Sequence, residues 1–342
     1  MGEEELGQQD IAEVHLACAV GLPGSEKIDI DSCRFKLDFW TRSVESYTQK
    51  MLPQFRRKRH QYENSEAYFR VLCLITVLQR DHGVHYNPDK IPEDAVFDLE
   101  DTFIHGIVRN GAGTCATLPV LYCAIGRRLG YPLKLVTAYG GPTANHLFAR
   151  WDAAGGERFN VEAAGQGLSC HPDEYYRAGR YAGQSLAHER AGLFLRSKTP
   201  RMELASFVAS RAITLQENRQ LRACVEAYAW ATSLVPENGF YSNTLKMRMN
   251  DWLAQLQTRE PAGFPTIYVK ELEPIYPPTL SLDLRVAILG MKATECLLND
   301  AQKDAWWWSR MRQGQRVNAP VRADADFGRG GCDIGLRFAT RD

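Results

Sequence analysis

The chain has 342 residues, 44% of them hydrophobic, and its 41 basic and 41 acidic side chains give a formal net charge of zero. This length and apolar content suffice for one large or two modest domains with real cores, whereas the balanced charge removes any global attraction to nucleic acid or to an anionic membrane. The acidic start of the chain and the lack of any run near the roughly 18 apolar residues of a membrane span predict neither a signal peptide nor a transmembrane helix.

Nine cysteines are scattered along the chain, mostly in apolar surroundings. An odd, dispersed set favours small buried thiols in a reducing compartment over a disulfide framework. We therefore expect a cytoplasmic protein that binds neither nucleic acid nor membrane. The basic run from Phe55 to His60 does not change this expectation, because such a run beside a polar and acidic sequence is more typical of a solvated face.

Amphipathic patterns predict helices in the first part of the chain, at Ile11–Val20, Ile28–Tyr47 and Ala67–Tyr86. A glycine and proline turn at Gly21–Gly24 and a polar run at Gln54–Asn64 interrupt them. Residues 1–66 are accordingly predicted to form an N-terminal helical segment. The strongly apolar part of the last helix, Ala67–Gln79, is expected to pack in the core of the domain that follows, predicted at residues 67–180.

The stretch from Asn110 to Glu162 carries the most informative pattern. Gly111 and Gly113 lead to Cys115, after which apolar residues recur at helical spacing as far as Leu129. Cys115 is thus predicted at the start of a buried helix. Alternating β-branched and aromatic residues then predict strands, at Leu133–Tyr139, His146–Trp151 and Glu157–Glu162.

Thiol chemistry explains why Cys115 and His146 deserve to be considered together. A helix start and a protonated imidazole both lower the pKa of a thiol, so Cys115 is a candidate nucleophile and His146 its ion-pair partner and general acid/base. A polar group on the next strand would orient the imidazole. If the hairpin is centred near Ala153, Asn160 opposes His146 across the ladder and is the predicted third residue. Glu162 is its rival, because it lies on the same strand face.

These features resemble the transglutaminase-like superfamily, whose core is a rearranged papain-type cysteine hydrolase. The order of Gly-x-Cys at a helix start, His on one strand and a polar residue on the next is similar to that family. The closer resemblance, over residues 11–240, is to a bacterial branch that adds tetratricopeptide-type helices. It implies an α+β fold with a helix packed on a small antiparallel sheet, and Cys115, His146 and Asn160 as catalytic residues. Most of the family has Asp where this chain has Asn160, although papain-type enzymes use Asn.

The same resemblance implies an oxyanion site beside Cys115. Backbone N–H groups at the helix start would supply it, and Asn110, Thr114 and Asn145 are the nearby side chains that could complete or support it. The expected substrate is a protein or peptide, with an amide or thioester bond that is hydrolysed or passed to an amine. No cofactor is required for this chemistry.

A helical layer is predicted at residues 181–258, with amphipathic stretches at Glu203–Leu215, Arg219–Val235 and Ser242–Leu256. Small residues and the closing Pro236 resemble one tetratricopeptide unit, so residues 203–256 are either a layer packed on the core or a surface for a protein partner. Residues 259–342 form a C-terminal extension with strand-like pieces at Phe264–Tyr276 and Leu280–Leu289, a helix-like run that ends in Trp306–Trp308, and a loosely ordered tail from about 313.

Two alternatives to the nucleophile stay open. Cys115 and His146 could join Cys170 and His171 in a metal site, but the usual close ligand spacing is lacking and no metal is predicted. Cys115 could also be an inert buried thiol, which the glycine-rich approach makes less attractive. Two function classes therefore remain: a cysteine-dependent enzyme, and a catalytically silent scaffold that binds a partner through its helical layer.

Overall fold

Helices make up the first part of the chain, and polar side chains begin three of them. The computed structural model describes residues 2–92, 95–139, 145–163, 165–178, 189, 193–260, 267–269, 279–303 and 336–338. Its first helices are α1 (Glu3–Gly7), α2 (Ile11–Ala19), α3 (Ile30–Arg57) and α4 (Glu66–Thr76). Asp10, Asp29 and Ser65 cap α2, α3 and α4 by accepting backbone N–H groups of the first turn. The predicted N-terminal helices are confirmed.

The predicted helix Ala67–Tyr86 is shorter than the sequence pattern indicates. It passes at Val77–Asp81 into one π-helical turn and ends there, and His85–Tyr86 form strand β1. The π turn carries Gln79, whose amide nitrogen donates to Gly165 O (3.1 Å) and whose oxygen accepts from Gly167 N (2.7 Å). The end of this helix therefore holds the loop that follows the third predicted strand.

Two short helices, α5 (Leu99–Thr102) and α6 (His105–Asn110), lead to the glycine-rich approach. There strand β2 (Ala112–Gly113) pairs in parallel with β1. Gly111 ends α6 with a φ of +80°, which only glycine adopts without strain. A Cβ on Gly113 would lie 2.4 Å from Ile107 Cδ1, so a side chain has no room there. Steric constraints therefore explain why both positions need glycine, independently of any role in catalysis.

The core of this part is helix α7 (Leu118–Arg128) packed on an antiparallel sheet of three strands in the order β3-β4-β5. The strands are β3 (Leu133–Tyr139), β4 (Asn145–Asp152) and β5 (Arg158–Val161). Helices α2, α3 and α4 also contact α7. The three predicted strands and the helix against them are therefore confirmed, and the fold class is α+β.

The hairpin between β4 and β5 differs from the prediction. Ala153 N donates to Glu157 O (3.2 Å) and Gly155 takes a φ of +66°, so the turn is centred on Gly155 and not near Ala153. The resulting register pairs Arg150 with Asn160. Asn160 consequently lies four residues along the ladder from the position opposite His146.

Beyond β5 the chain returns to the sheet. Helix α8 (Asp173–Tyr176) covers one face of it, where Tyr176 joins Phe148 and Phe194 in a fully buried cluster. Leu195 N then donates to Thr137 O (3.0 Å), beside β3. Helix α9 (Pro200–Glu217) follows, and its buried Glu203 forms an ion pair with the partly exposed Arg127 of α7.

The chain divides into two compact units, residues 1–214 and 215–342. The second contains α10 (Leu221–Leu234), α11 (Gly239–Gln257), α12 (Leu282–Lys303) and the antiparallel pair of β6 (Ile267–Val269) and β7 (Leu336–Phe338). Helices α9, α10 and α11 confirm the three predicted helical stretches between residues 203 and 256.

The prediction of a strand at Leu280–Leu289 is wrong, because most of these residues belong to α12, which buries Ile288 and Leu289. Trp306–Trp308 and the predicted tail lie outside the described residues, except for the three residues of β7. No helix in the described part of the chain has the length and apolar character needed to cross a bilayer.

Candidate active site

Cys115 lies in a helical turn directly before α7, three residues earlier than the first residue of the helix itself. Thr114 builds this turn: its carbonyl accepts Thr117 N (3.1 Å) and Leu118 N (2.9 Å), and its hydroxyl accepts Ala116 N (3.1 Å). Thr117 Oγ1 accepts Thr114 N in return (3.0 Å), as in a capping box. The Thr114 hydroxyl also donates to Asp101 O (2.7 Å). Thr114 therefore fixes the turn, and Cys115 in it is partly exposed.

His146 brings an imidazole to this turn from β4. Its side chain is buried and lies within hydrogen-bonding reach of the Cys115 sulfur, while its Nε2 lies 2.8 Å from Glu162 Oε2. Burial alone would lower the pKa of His146, but the hydrogen bonds to Cys115 and Glu162 raise it to about 9. Because Glu162 takes Nε2, Nδ1 is the ring nitrogen left for Cys115. The site therefore favours an imidazolium at neutral pH.

Glu162 follows β5 and holds the far side of the imidazole. Burial tends to raise the pKa of its carboxyl, but His146 and two further donors lower it below the ordinary value. These donors are Ala163 N, at 2.8 Å from Oε1, and the Tyr176 hydroxyl, at 2.9 Å from Oε2. Glu162 is thus an ionised, fully bonded carboxylate that accepts the imidazole N–H.

Asn160 does not take the place that the sequence predicts for it. Its Oδ1 accepts Arg150 Nε (2.6 Å), and its Nδ2 donates to His171 O (2.8 Å) and Asp173 Oδ1 (2.8 Å). The prediction that Asn160 orients His146 is therefore wrong, because the hairpin register sets Asn160 opposite Arg150. Glu162, the rival on the same strand face, makes the contact instead.

Around Asn160 lies a second buried cluster. Arg150 is fully buried and donates through Nη2 to Asp173 Oδ1 (2.6 Å) and through Nη1 to Leu195 O (2.8 Å). Loss of solvation lowers the pKa of Arg150 to about 10, and the nearby Asp173 opposes this shift. We call Arg150, Asn160 and Asp173 the anchor cluster.

The expected oxyanion side chains have other roles or are not described. Asn110 ends α6, where its Oδ1 accepts Ala112 N (2.8 Å) and its Nδ2 lies 3.4 Å from Glu100 Oε2. Asn145 is the first residue of β4, and its side chain lies outside the described residues. Thr114 accepts the backbone N–H groups of Ala116, Thr117 and Leu118. The N–H of Cys115 is the donor in this turn that does not bond to Thr114.

The metal alternative finds no support in the described residues. No group of three or more His, Cys, Asp and Glu side chains among them converges as ligands would. His171 contacts Ser169 Oγ through Nε2 (3.2 Å) and stacks on Tyr175, and the neighbouring Cys170 is exposed.

Sequence reasoning missed Tyr176. It lies in a segment without strand or helix periodicity, so nothing in the pattern marks its burial. Asp173, three residues earlier, and the doubled Tyr175-Tyr176 are the sequence features near it that could indicate a role.

No family model, curated protein or solved structure matches this chain.

Proposed function

We propose that the protein is a cysteine-dependent enzyme that acts on amide or thioester bonds of a protein or peptide, with a transglutaminase-like core. The observation that carries this proposal is the continuous array of Cys115, His146 and Glu162, in which a carboxylate orients the imidazole beside a partly exposed thiol. The order of a cysteine turn before a helix, a histidine on the central strand and an acidic residue after the next strand supports the family resemblance.

The three side chains have complementary roles in such a reaction. The Cys115 thiolate attacks the substrate carbonyl carbon, and the resulting oxyanion accepts the backbone N–H of Cys115. His146 gives its Nδ1 proton to the leaving amine or thiol as the substrate bond breaks, which leaves an acyl group on Cys115. Water or an amine then gives a proton back to His146, attacks the acyl group and releases the thiolate. Glu162 stays ionised and keeps Nε2–H in place.

Burial of the pair makes this arrangement chemically useful. An imidazolium and a carboxylate in a site of low dielectric interact more strongly than in water, provided that each keeps its partners. Here Glu162 has three donors and His146 has Cys115 and Glu162 on opposite ring nitrogens. Burial of these charged groups costs solvation free energy on folding. A role in acyl transfer accounts for that cost.

An active ester tests the proposal without knowledge of the natural substrate. The intact protein is mixed with p-nitrophenyl acetate at pH 7, and acetylated residues are located by mass spectrometry. We expect an acetyl group on Cys115 within the first turnover, with faster nitrophenolate release than from the Cys115→Ser and His146→Ala variants. A Cys170→Ala variant is the matched control and should behave as the wild type. Acetylation spread equally over Cys115 and Cys170 would contradict the proposal.

A catalytically silent scaffold is the second candidate, and one observation in the second unit favours it. Large apolar side chains of α10 and α11 are exposed, namely Trp230, Phe240, Met247 and Leu253. These residues lie within the predicted partner surface at 203–256. A scaffold would show no preferential acylation of Cys115, so the same experiment separates the two candidates.

A further inference from the structure

We propose that Tyr176 is a positioning residue for the Cys115–His146–Glu162 array: its hydroxyl fixes the carboxylate of Glu162, and the anchor cluster fixes Tyr176. This inference rests on the proposed function and deepens it, because it says what controls the carboxylate that His146 depends on.

The contacts of Tyr176 support this role directly. Its side chain is fully buried, and its ring stacks on Phe148 with centroids 4.3 Å apart and planes only 7° apart. Its hydroxyl donates to Glu162 Oε2 (2.9 Å), the same oxygen that accepts the imidazole N–H of His146. The ring stacking therefore fixes where the hydroxyl lies, and the hydroxyl fixes the oxygen that holds His146.

The anchor cluster explains how α8 is held in place. This helix has only four residues, too few to be stable by itself. At its first residue, Asp173 accepts hydrogen bonds from Arg150 and Asn160, while Arg158 contacts the other oxygen at 3.2 Å. Asn160 also donates to His171 O, two residues before the helix. Three residues later along the same turn, Tyr176 is directed into the sheet.

The charge balance around Glu162 gives the inference a measurable consequence. The ionisable groups that face its carboxylate are His146 on β4, Tyr176 on α8 and Tyr122 on α7. His146 and the Tyr176 hydroxyl lower the pKa of the carboxyl against the effect of burial. If the Tyr176 hydroxyl is removed, Glu162 becomes easier to protonate, and a protonated Glu162 no longer stabilises the imidazolium. The reactivity of Cys115 should then fail at a higher pH than in the wild type.

The test is the rate at which iodoacetamide alkylates Cys115 between pH 4 and 8, followed by mass spectrometry in the full chain. Tyr176→Phe keeps the stacked ring and removes only the hydroxyl. We expect its alkylation rate to fall below wild type as the pH falls from 5 to 4, approaching about tenfold, the effect of one lost hydrogen bond to a charge, and to stay within about twofold at pH 7.5. Tyr175→Phe, which changes the exposed neighbour, is the matched control and should follow the wild-type profile.

Two further variants keep the test decisive if Tyr176→Phe folds poorly. Replacing Tyr176 by 3-fluorotyrosine preserves the shape of the ring and makes the hydroxyl a stronger donor. The pH below which Cys115 loses its reactivity should then be lower than in the wild type. In a Glu162→Gln background, Tyr176→Phe should have little further effect, because the carboxylate that it positions is gone.

The outcomes separate this inference from the proposed function. If His146→Ala slows alkylation of Cys115 but Tyr176→Phe and 3-fluorotyrosine leave its pH profile unchanged, Tyr176 only packs and the inference is overturned. The same holds if the effects of Glu162→Gln and Tyr176→Phe simply add. If His146→Ala has no effect, the proposed function itself fails.

Discussion

The strand pair β4–β5 carries two buried polar clusters on one face, and they differ in where their hydrogen bonds end. His146 and Arg150 are four residues apart on β4, about 13 Å at the usual rise of a strand. In the anchor cluster, Arg150, Asn160 and Asp173 bond to one another and to backbone carbonyls. In the other cluster, the chain of bonds from Tyr176 through Glu162 and His146 ends at the partly exposed sulfur of Cys115.

This difference shows how similar residues on the same strands can serve structure or chemistry. A closed cluster has no group left to react, so its free energy contributes to folding and to specificity of the register. A cluster that ends at a nucleophile can move a proton when substrate arrives. At neutral pH, variants of the anchor cluster should therefore change stability more than the reactivity of Cys115, and variants of the His146 cluster should change that reactivity.

The largest effect is expected when the charge at the centre of the anchor cluster is removed. Arg150→Met leaves the partly buried Asp173 with Arg158 as its remaining ion-pair partner, which should reduce the free energy of unfolding by about 3 kcal/mol. Chemical denaturation followed by circular dichroism measures it. Arg158→Met is the matched control, because Arg158 contacts the same carboxylate from a half-exposed position. It should cost less than about 1 kcal/mol. Equal losses in the two variants would contradict a closed structural cluster.

Asn160→Asp gives the next largest effect and separates the two clusters most clearly. Asn160 donates through its NH₂ to His171 O and Asp173 Oδ1, and a carboxylate would turn an acceptor toward both oxygens. We expect a loss of about 1–3 kcal/mol in the free energy of unfolding, with Cys115 alkylation at pH 7 close to wild type. If Asn160 oriented His146 as the family resemblance implies, the variant would keep both its stability and its activity, and the added charge would raise the pH at which the ion pair is lost.

Glu162→Gln is the corresponding change in the other cluster. The amide keeps the shape of the side chain but removes the charge that stabilises the imidazolium, so the pKa of His146 should fall. We expect alkylation of Cys115 at pH 7 to slow by roughly tenfold, the equivalent of one charge-assisted hydrogen bond. Unchanged reactivity would show that Glu162 does not support His146.

The sequence predicted most of the fold around the site. The helix after Cys115 and the three strands follow from apolar periodicity, which local residues determine. The register of β4 against β5 depends on where the turn between them is centred. The sequence pattern places the centre near Ala153, whereas the structure has it at Gly155, so the predicted register is shifted. The shifted register predicts Asn160 as the partner of His146, whereas the partner is Glu162, because the register decides which residues meet across a ladder.

Other features could not be predicted from local patterns. Tyr176 reaches Glu162 from α8, whose first residue bonds to Arg150 and Asn160, and these segments share no periodicity. The first part of α12 carries the strand-like pattern of Leu280–Leu289, because a short apolar run fits either structure. The glycines before Cys115 indicate a functional cysteine in the sequence, whereas in the structure Gly113 is required by its close packing against Ile107.

The most direct test of the central claim is the pH dependence of Cys115 carboxymethylation by iodoacetate, measured by mass spectrometry with the exposed Cys170 as internal control. Iodoacetate is an anion, so it reacts fastest while the imidazolium lies beside the thiolate. The pKa of His146, raised to about 9, means that the imidazolium is present below that pH and lost above it. We predict a bell-shaped rate for Cys115 with its falling limb near pH 9, and no falling limb in His146→Ala. A rate that rises steadily with pH, in parallel with Cys170, would contradict the account.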